Sequence, residues 1–145
     1  RGKSAVQAFR PYFDEVRRAV DSGLFDVLAH FDHLKRYSIP VYGSYSPQIF
    51  EDQIADILRA VVQSGMVLEI NASGFRQNFR QPFPAEETIR QFVDLGGKFV
   101  SFASDSHAVS QFGLGMSESL QLAKMAGIRD MAYFTSRQRH TAPVL

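Results

Sequence analysis

The sequence predicts an α/β fold, a parallel sheet covered by helices, and three observations carry that prediction. Short apolar runs recur along the chain, each bounded by glycine or by polar residues. Between them lie segments whose apolar residues return at helical spacing. Three of the runs end in polar, chemistry-bearing side chains, as expected at the carboxyl edge of a parallel sheet, where α/β folds bind ligands. Near-continuous apolar strands alternating with helices mark a sheet covered on its faces.

In order along the chain, Pro11 reads as the first position of a helix, where a missing N–H costs nothing. Tyr12, Phe13, Val16, Ala19 and Val20 follow at helical spacing, and Gly23 stops it. Residues 24–29 read as a buried strand ending at His30, and 36–46, rich in Tyr, Ser, Pro and Gly, as a loop. Ser46-Pro47 opens a second helix with Ile49, Ile54, Ile57, Leu58, Val61 and Val62 as its apolar stripe, and Gly65 closes it. Residues 66–70 form a second strand that runs into Asn71, followed by a loop over 72–83 with Arg76 and Arg80. Pro84 opens a third helix that buries Ile89, Phe92, Val93 and Leu95 and ends at Gly96-Gly97. Residues 99–103 are a third strand running into Ser104-Asp105-Ser106-His107. A fourth helix spans 118–126, Gly127 ends it, and 131–134 form a fourth strand. The end of the chain, His140 included, reads as a polar tail.

A chain of 145 residues fits one domain, 1–145, and is long enough to bury a core. Its hydrophobic fraction of 45% and charged fraction of 21% are those of a globular protein. The net charge is +1 and no Lys/Arg block stands out, which argues against a nucleic-acid partner. No apolar run approaches the roughly 18 to 20 residues of a membrane span. Cysteine is absent, so any metal must sit on His, Asp or Glu, and a reducing, cytoplasmic setting fits. The chain opens Arg1-Gly2-Lys3-Ser4 without a starting Met, so we expect it to be part of something longer.

The chemistry-bearing residues gather at the strand ends. Asp105 and His107 stand two apart in extended chain and so project to one side. That spacing suits Zn, Mn or Fe, and it equally suits a turn in which Asp105 caps the backbone and His107 is exposed. His30 after an apolar run reads as a ligand or as a hydrogen-bonded rim residue, and His33 as a surface residue. Glu69 within a strand needs a partner, because an unpaired buried carboxylate is costly, and reads as a hydrogen-bond hub. Asn71, nearer the loop, is the better pocket residue. Arg76 has the planar fork that takes phosphate bidentately, although loops carry arginine for other reasons too.

Three segments together resemble the polymerase-and-histidinol-phosphatase (PHP) family, specifically its histidinol-phosphate phosphatases. Asp26-Val27-Leu28-Ala29-His30-Phe31-Asp32 resembles the family's DVxAHPD segment. Leu68-Glu69-Ile70-Asn71-Ala72-Ser73-Gly74-Phe75-Arg76 resembles LEINTSGLR, and Ser104-Asp105-Ser106-His107 lies in a counterpart of GSDAH. Their order and separation also fit, and the likeness runs from about Tyr12 to Phe134. Phe31 stands where the family has Pro, and Ala103 where it has Gly. The resemblance implies the C-terminal part of a distorted (β/α)7 barrel with up to three divalent metals (Zn, Mn or Fe) at its mouth. It implies hydrolysis of L-histidinol phosphate to L-histidinol and phosphate in histidine biosynthesis. By motif, His30, Asp105 and His107 would be metal ligands, Asp105 and His107 catalytic, and Arg76 and Asn71 substrate-binding. The family's upstream His-x-His motif and bridging Glu have no counterpart, since His30 is the first histidine. The chain alone is therefore expected to be inactive, and to self-associate or to pair with a missing N-terminal part. Two alternatives stay open: a PHP enzyme for another phosphate ester, and a non-catalytic half-barrel binding module.

Overall fold

The structure is a computed structural model that describes residues 2–144. Helix α1 (Ala5–Asp21) begins with a capping box: the Ser4 hydroxyl accepts from the Gln7 amide and the Gln7 side chain accepts from the Ser4 amide. Strand β1 (Val27–Leu28) follows, then helix α2 (Lys35–Tyr42). A 3₁₀ turn (Pro47–Phe50) leads into α3 (Glu51–Ser64), which has Glu51 and Asp52 at its positive end and Gly65 in the left-handed C-cap, φ 72°. Strand β2 (Val67–Asn71) runs into a 3₁₀ turn (Ala72–Arg76), and α4 (Glu86–Asp94) returns the chain to β3 (Phe99–Ala103). Helix α5 (Met116–Met125), β4 (Asp130–Thr135) and β5 (Gln138–Pro143) complete the fold.

The five strands lie in sequence order, β1-β2-β3-β4-β5. The first four pair in parallel, with Leu68 opposite Val100 and Ile70 opposite Phe102. β5 is antiparallel to β4, so the sheet is mixed. One core joins Leu28, Leu68, Ile70 and Val100 of the sheet to Phe13 and Val20 of α1, Ile54, Leu58 and Val61 of α3, and Ile89 and Phe92 of α4. Each large side chain there contributes about 1.5–3 kcal/mol through its burial. Strand alternation turns Glu69 and its register partner Ser101 to the opposite, more polar face. Among the described residues no helix is long and apolar enough to cross a membrane.

Four elements differ from the expectation. Pro11 lies inside α1, not at its start, because the Ser4–Gln7 box supplies a stronger initiation signal seven residues earlier. The first strand is only Val27–Leu28. The expected loop over 36–46 holds α2, whose buried Lys35 and Ser38 face inward against the usual polarity rule. The polar tail is strand β5: its backbone completes the sheet edge, while His140 stacks on Tyr133 (5.2 Å) and meets Thr135 Oγ1 at 2.6 Å.

Candidate functional site

The loops that leave β2 and β3 enclose a cavity of about 440 Å³, lined by Arg36, Ser73, Arg76, Gln77, Asp105, His107 and Gln111. That volume lies within the roughly 300–1,000 Å³ of small-molecule sites. It sits at the carboxyl edge of the parallel strands and gathers Arg76, Asp105 and His107. Arg36 was not singled out by the sequence reading. The signal was present, an arginine six residues after His30, but only the helical phase of α2 brings it to the cavity.

At the end of β3, Asp105 adopts φ 49°, a left-handed conformation that is costly for a non-glycine residue. Arg76 stabilises this turn directly. Its Nη1 donates to the Ser104 carbonyl (2.7 Å) and its Nη2 to the Asp105 carbonyl (2.8 Å). Ser106 Oγ donates to the Gln111 carbonyl (2.8 Å), and the His107 amide donates to Gln111 Oε1 (2.9 Å). His107 Nδ1 lies 3.0 Å from the Asp105 carbonyl. A carbonyl can only accept, so this contact is made by a ring with its proton on Nδ1, which in the neutral tautomer leaves Nε2 as the nitrogen open to a ligand. This is the arrangement in which a histidine binds metal through one nitrogen while a carbonyl orients the other. The His107 side chain is 80% exposed and Asp105 38%, so both can meet a ligand from outside.

The end of β1 is built differently. His30 also has a positive φ, 66°, but the next four residues are half-buried or buried. His33 stands beside it, ring centroids 5.4 Å apart, and packs on Phe83 at 5.1 Å. Burial is the first cause that lowers the His33 imidazole from its ordinary range; His30 and Arg36 add to it, and Asp105 opposes them. His33 is therefore a half-buried neighbour of His30 rather than the surface residue its position suggested. Asp32 and Lys35, 0% and 1% exposed, form an ion pair with Nζ 3.2 Å from Oδ2. Burial pushes the Asp32 carboxyl up and the Lys35 amine down, so for each partner the loss of water outweighs the attraction of the other.

His30 and Asn71 do not line the cavity themselves. Asn71 is buried; its Nδ2 donates to Glu69 Oε1 (3.0 Å), and its Oδ1 accepts from the Ser73 amide (3.0 Å) and hydroxyl (2.6 Å). It shapes the turn that presents Ser73 and Arg76, with Glu69 as its partner. The donor chemistry of His30, Asp105 and His107, imidazole nitrogen and carboxylate oxygen without sulfur, suits a divalent metal. Among the described residues no group of three or more such side chains is placed to hold one ion. The chain can thus offer single ligands, short of the three or four that a typical site needs.

No protein-family model matches the chain. It is 29% identical over 109 residues to a probable histidinol-phosphatase of Clostridium acetobutylicum, covering 74% of this chain and 42% of the relative. It is 30% identical over 113 residues to the histidinol-phosphatase of Lactococcus lactis subsp. lactis, covering 77% of this chain and 41% of the relative. The matches therefore span less than half the length of these curated relatives. The crystal structure of histidinol phosphate phosphatase from Lactococcus lactis subsp. lactis, complexed with zinc, L-histidinol and phosphate, superposes with a TM-score of 0.82 at 25% identity, over 95% of this chain and 52% of that one.

Proposed function

We propose that this chain carries the C-terminal half of a metal-dependent phosphomonoesterase of the PHP type, acting on L-histidinol phosphate in histidine biosynthesis. The observation that carries the reading is the cavity at the sheet edge, where Arg36 and Arg76 stand with Asp105 and His107. The similarity to histidinol-phosphatases and the extent of the superposition on one bound to zinc, histidinol and phosphate support it. They also support the barrel: a structural match over 52% of a longer chain fits one half of a (β/α)7 closure.

In this reading the substrate is a small phosphate ester. Arg36 attracts its dianion, and Arg76 adds charge at the cavity wall while its fork holds the Asp105 turn. Asp105 and His107 supply one oxygen and one nitrogen ligand from β3, and His30 one nitrogen from β1. A bound divalent metal supplies charge neutralisation at the phosphoryl oxygens. Each of up to three metals takes about one ligand from this chain, and the others come from the complementary half. Small-molecule chemistry in the cytoplasm suits the near-neutral charge of +1.

The test joins this chain in frame to the N-terminal half of the Lactococcus lactis relative and measures phosphate release from L-histidinol phosphate with Mn²⁺ or Zn²⁺. The expected result is metal-dependent turnover by the chimera and none by this chain alone. A folded, metal-loaded chimera that releases no phosphate would overturn the assignment. The lack of a three-ligand cluster among the described residues also favours a second reading, a non-catalytic half-barrel that binds phosphate through Arg36 and Arg76. Phosphate binding by the chain, unaltered by metal and joined to an inactive chimera, is the outcome that selects it.

A further inference from the structure

Asp32 and Lys35 are the most deeply buried charges among the described residues, and the chemistry above uses neither. Asp32 lies in the turn that follows His30 and Lys35 is the first residue of α2, and both reach across to the connection between β2 and α4. Asp32 Oδ2 accepts from the Ala85 amide at 2.7 Å. Ala85 is the N-cap of α4 and has no side-chain acceptor of its own, so the carboxylate serves the positive end of that helix from another loop. Lys35 Nζ donates to the Pro82 carbonyl and lies 4.8 Å from the centre of the Phe83 ring. The same Phe83 ring supports His33, which in turn lies against His30. A continuous set of contacts therefore runs from Pro82, Phe83 and Ala85 through the ion pair to the two imidazoles.

Stability alone gives a poor account of this pair. Asp32 Oδ1 is buried without a hydrogen-bond partner, and so is the Tyr45 hydroxyl. A buried ion pair with one oxygen unsatisfied contributes little net stability, and apolar replacements of similar volume are often neutral or better. What an apolar pair could not do is bond the Ala85 amide and the Pro82 carbonyl at fixed directions. Those two bonds are directional and so restrict the rotation and height of the turn in a way that non-directional apolar contact does not.

We propose that the Asp32–Lys35 pair is a positioning device: it docks the His30–His33 turn on the β2–α4 connection and so sets where the His30 imidazole stands at the sheet edge. Its functional meaning rests on the reading of His30 as a metal ligand; its geometric content does not.

The test compares the 145-residue chain with the Asp32→Asn/Lys35→Met double variant. The variant removes both charges yet keeps an acceptor for the Ala85 amide and the apolar stem of Lys35. Nuclear Overhauser contacts between the His30 and His33 rings, and between His33 and Phe83, are measured without metal. Line broadening by Mn²⁺ alone is then measured at His30, Asp105 and His107. The expected result is a cooperatively melting variant that has lost the His30–His33 ring contact, and that loses broadening at His30 while keeping it at Asp105 and His107. Ring contacts of parental strength in the folded variant overturn the proposal. Should the double variant not fold, Asp32→Leu/Lys35→Met, an apolar pair that drops the bonds to both the Ala85 amide and the Pro82 carbonyl, carries the same comparison with the same two outcomes. Mn²⁺ that broadens none of the three residues in the parent chain strikes the metal reading only, and the ring contacts still decide the positioning.

Discussion

The turns after β1 and β3 solve one problem in opposite ways. Each leaves a parallel strand through a non-glycine residue of positive φ, His30 at 66° and Asp105 at 49°, and each presents imidazole or carboxylate to the sheet edge. The β3 turn is open to solvent and held from outside, by the Arg76 fork on two backbone carbonyls and by Gln111. The β1 turn is held from within, by a buried ion pair, by the His33 ring packed at a tilt on Phe83 and by the Tyr12 hydroxyl donating to the Phe31 carbonyl (3.0 Å). Strain at a strand end can thus be stabilised by surface polar bonds that need one long side chain, or by buried polar bonds that need several groups at once. The second solution is expected to fail more completely when one member is lost, because its partner is then left buried and unpaired.

The sharpest way to break the contrast is Lys35→Ala. Leaving Asp32 buried without its cation should destabilise the chain by roughly 3–5 kcal/mol, read by denaturant unfolding. A loss close to that of an exposed lysine would mean that the β1 turn is not held from within. Next in size is the alkaline limit of Tyr12. Burial, with Asp32 adding to it, raises its phenol from 10.0 to about 12. The folded state therefore holds this proton more tightly than the unfolded chain. The contribution is complete below pH 10 and is lost as pH climbs to about 12, worth about 3 kcal/mol at most. Tyr12→Phe should flatten that part of the stability–pH curve relative to the parent; an unchanged slope would count against burial as the cause.

For the β3 turn, Arg76→Ala removes two charged hydrogen bonds to carbonyls and should cost about 2 kcal/mol. Faster amide exchange should be confined to residues 104–107. Spread of that exchange into β1 would show the two turns to be coupled. The smallest effect is expected at His107, 80% exposed. His107→Ala should change stability by no more than about 0.5 kcal/mol while abolishing Mn²⁺ broadening at Asp105.

The legibility of these two turns in the sequence differs for the same reason. Asp105-Ser106-His107 follows an apolar run and stands out by local spacing, and its side chains remain exposed at the cavity. Arg76 was visible as a guanidinium in a loop, but its hold on the Asp105 turn depends on β2 and β3 being neighbours in register. Arg36 was hidden because a stretch rich in Tyr, Ser, Pro and Gly reads as loop. The helix there forms because Leu34, Lys35 and Ser38 are buried by the rest of the molecule, which overrides local preference. His33 reads as exposed in the sequence because nothing local indicates the Phe83 ring beneath it.

The sequence by itself determined the alternation of helix and strand, the parallel pairing of four strands, and the location of polar chemistry at their carboxyl ends. Hydrophobic periodicity and glycine stops are local signals, and crossover rules turn them into a sheet. Only the tertiary structure decided that Asp32 and Lys35 are buried together, that Arg36 joins Arg76 at one cavity, that Asn71 turns inward to Glu69 and Ser73, and that β5 closes the edge antiparallel. Each of these is a pairing between residues distant in the chain or displaced from their usual burial. Its free energy depends on desolvation and on hydrogen-bond direction, which exist only once the partners are brought together.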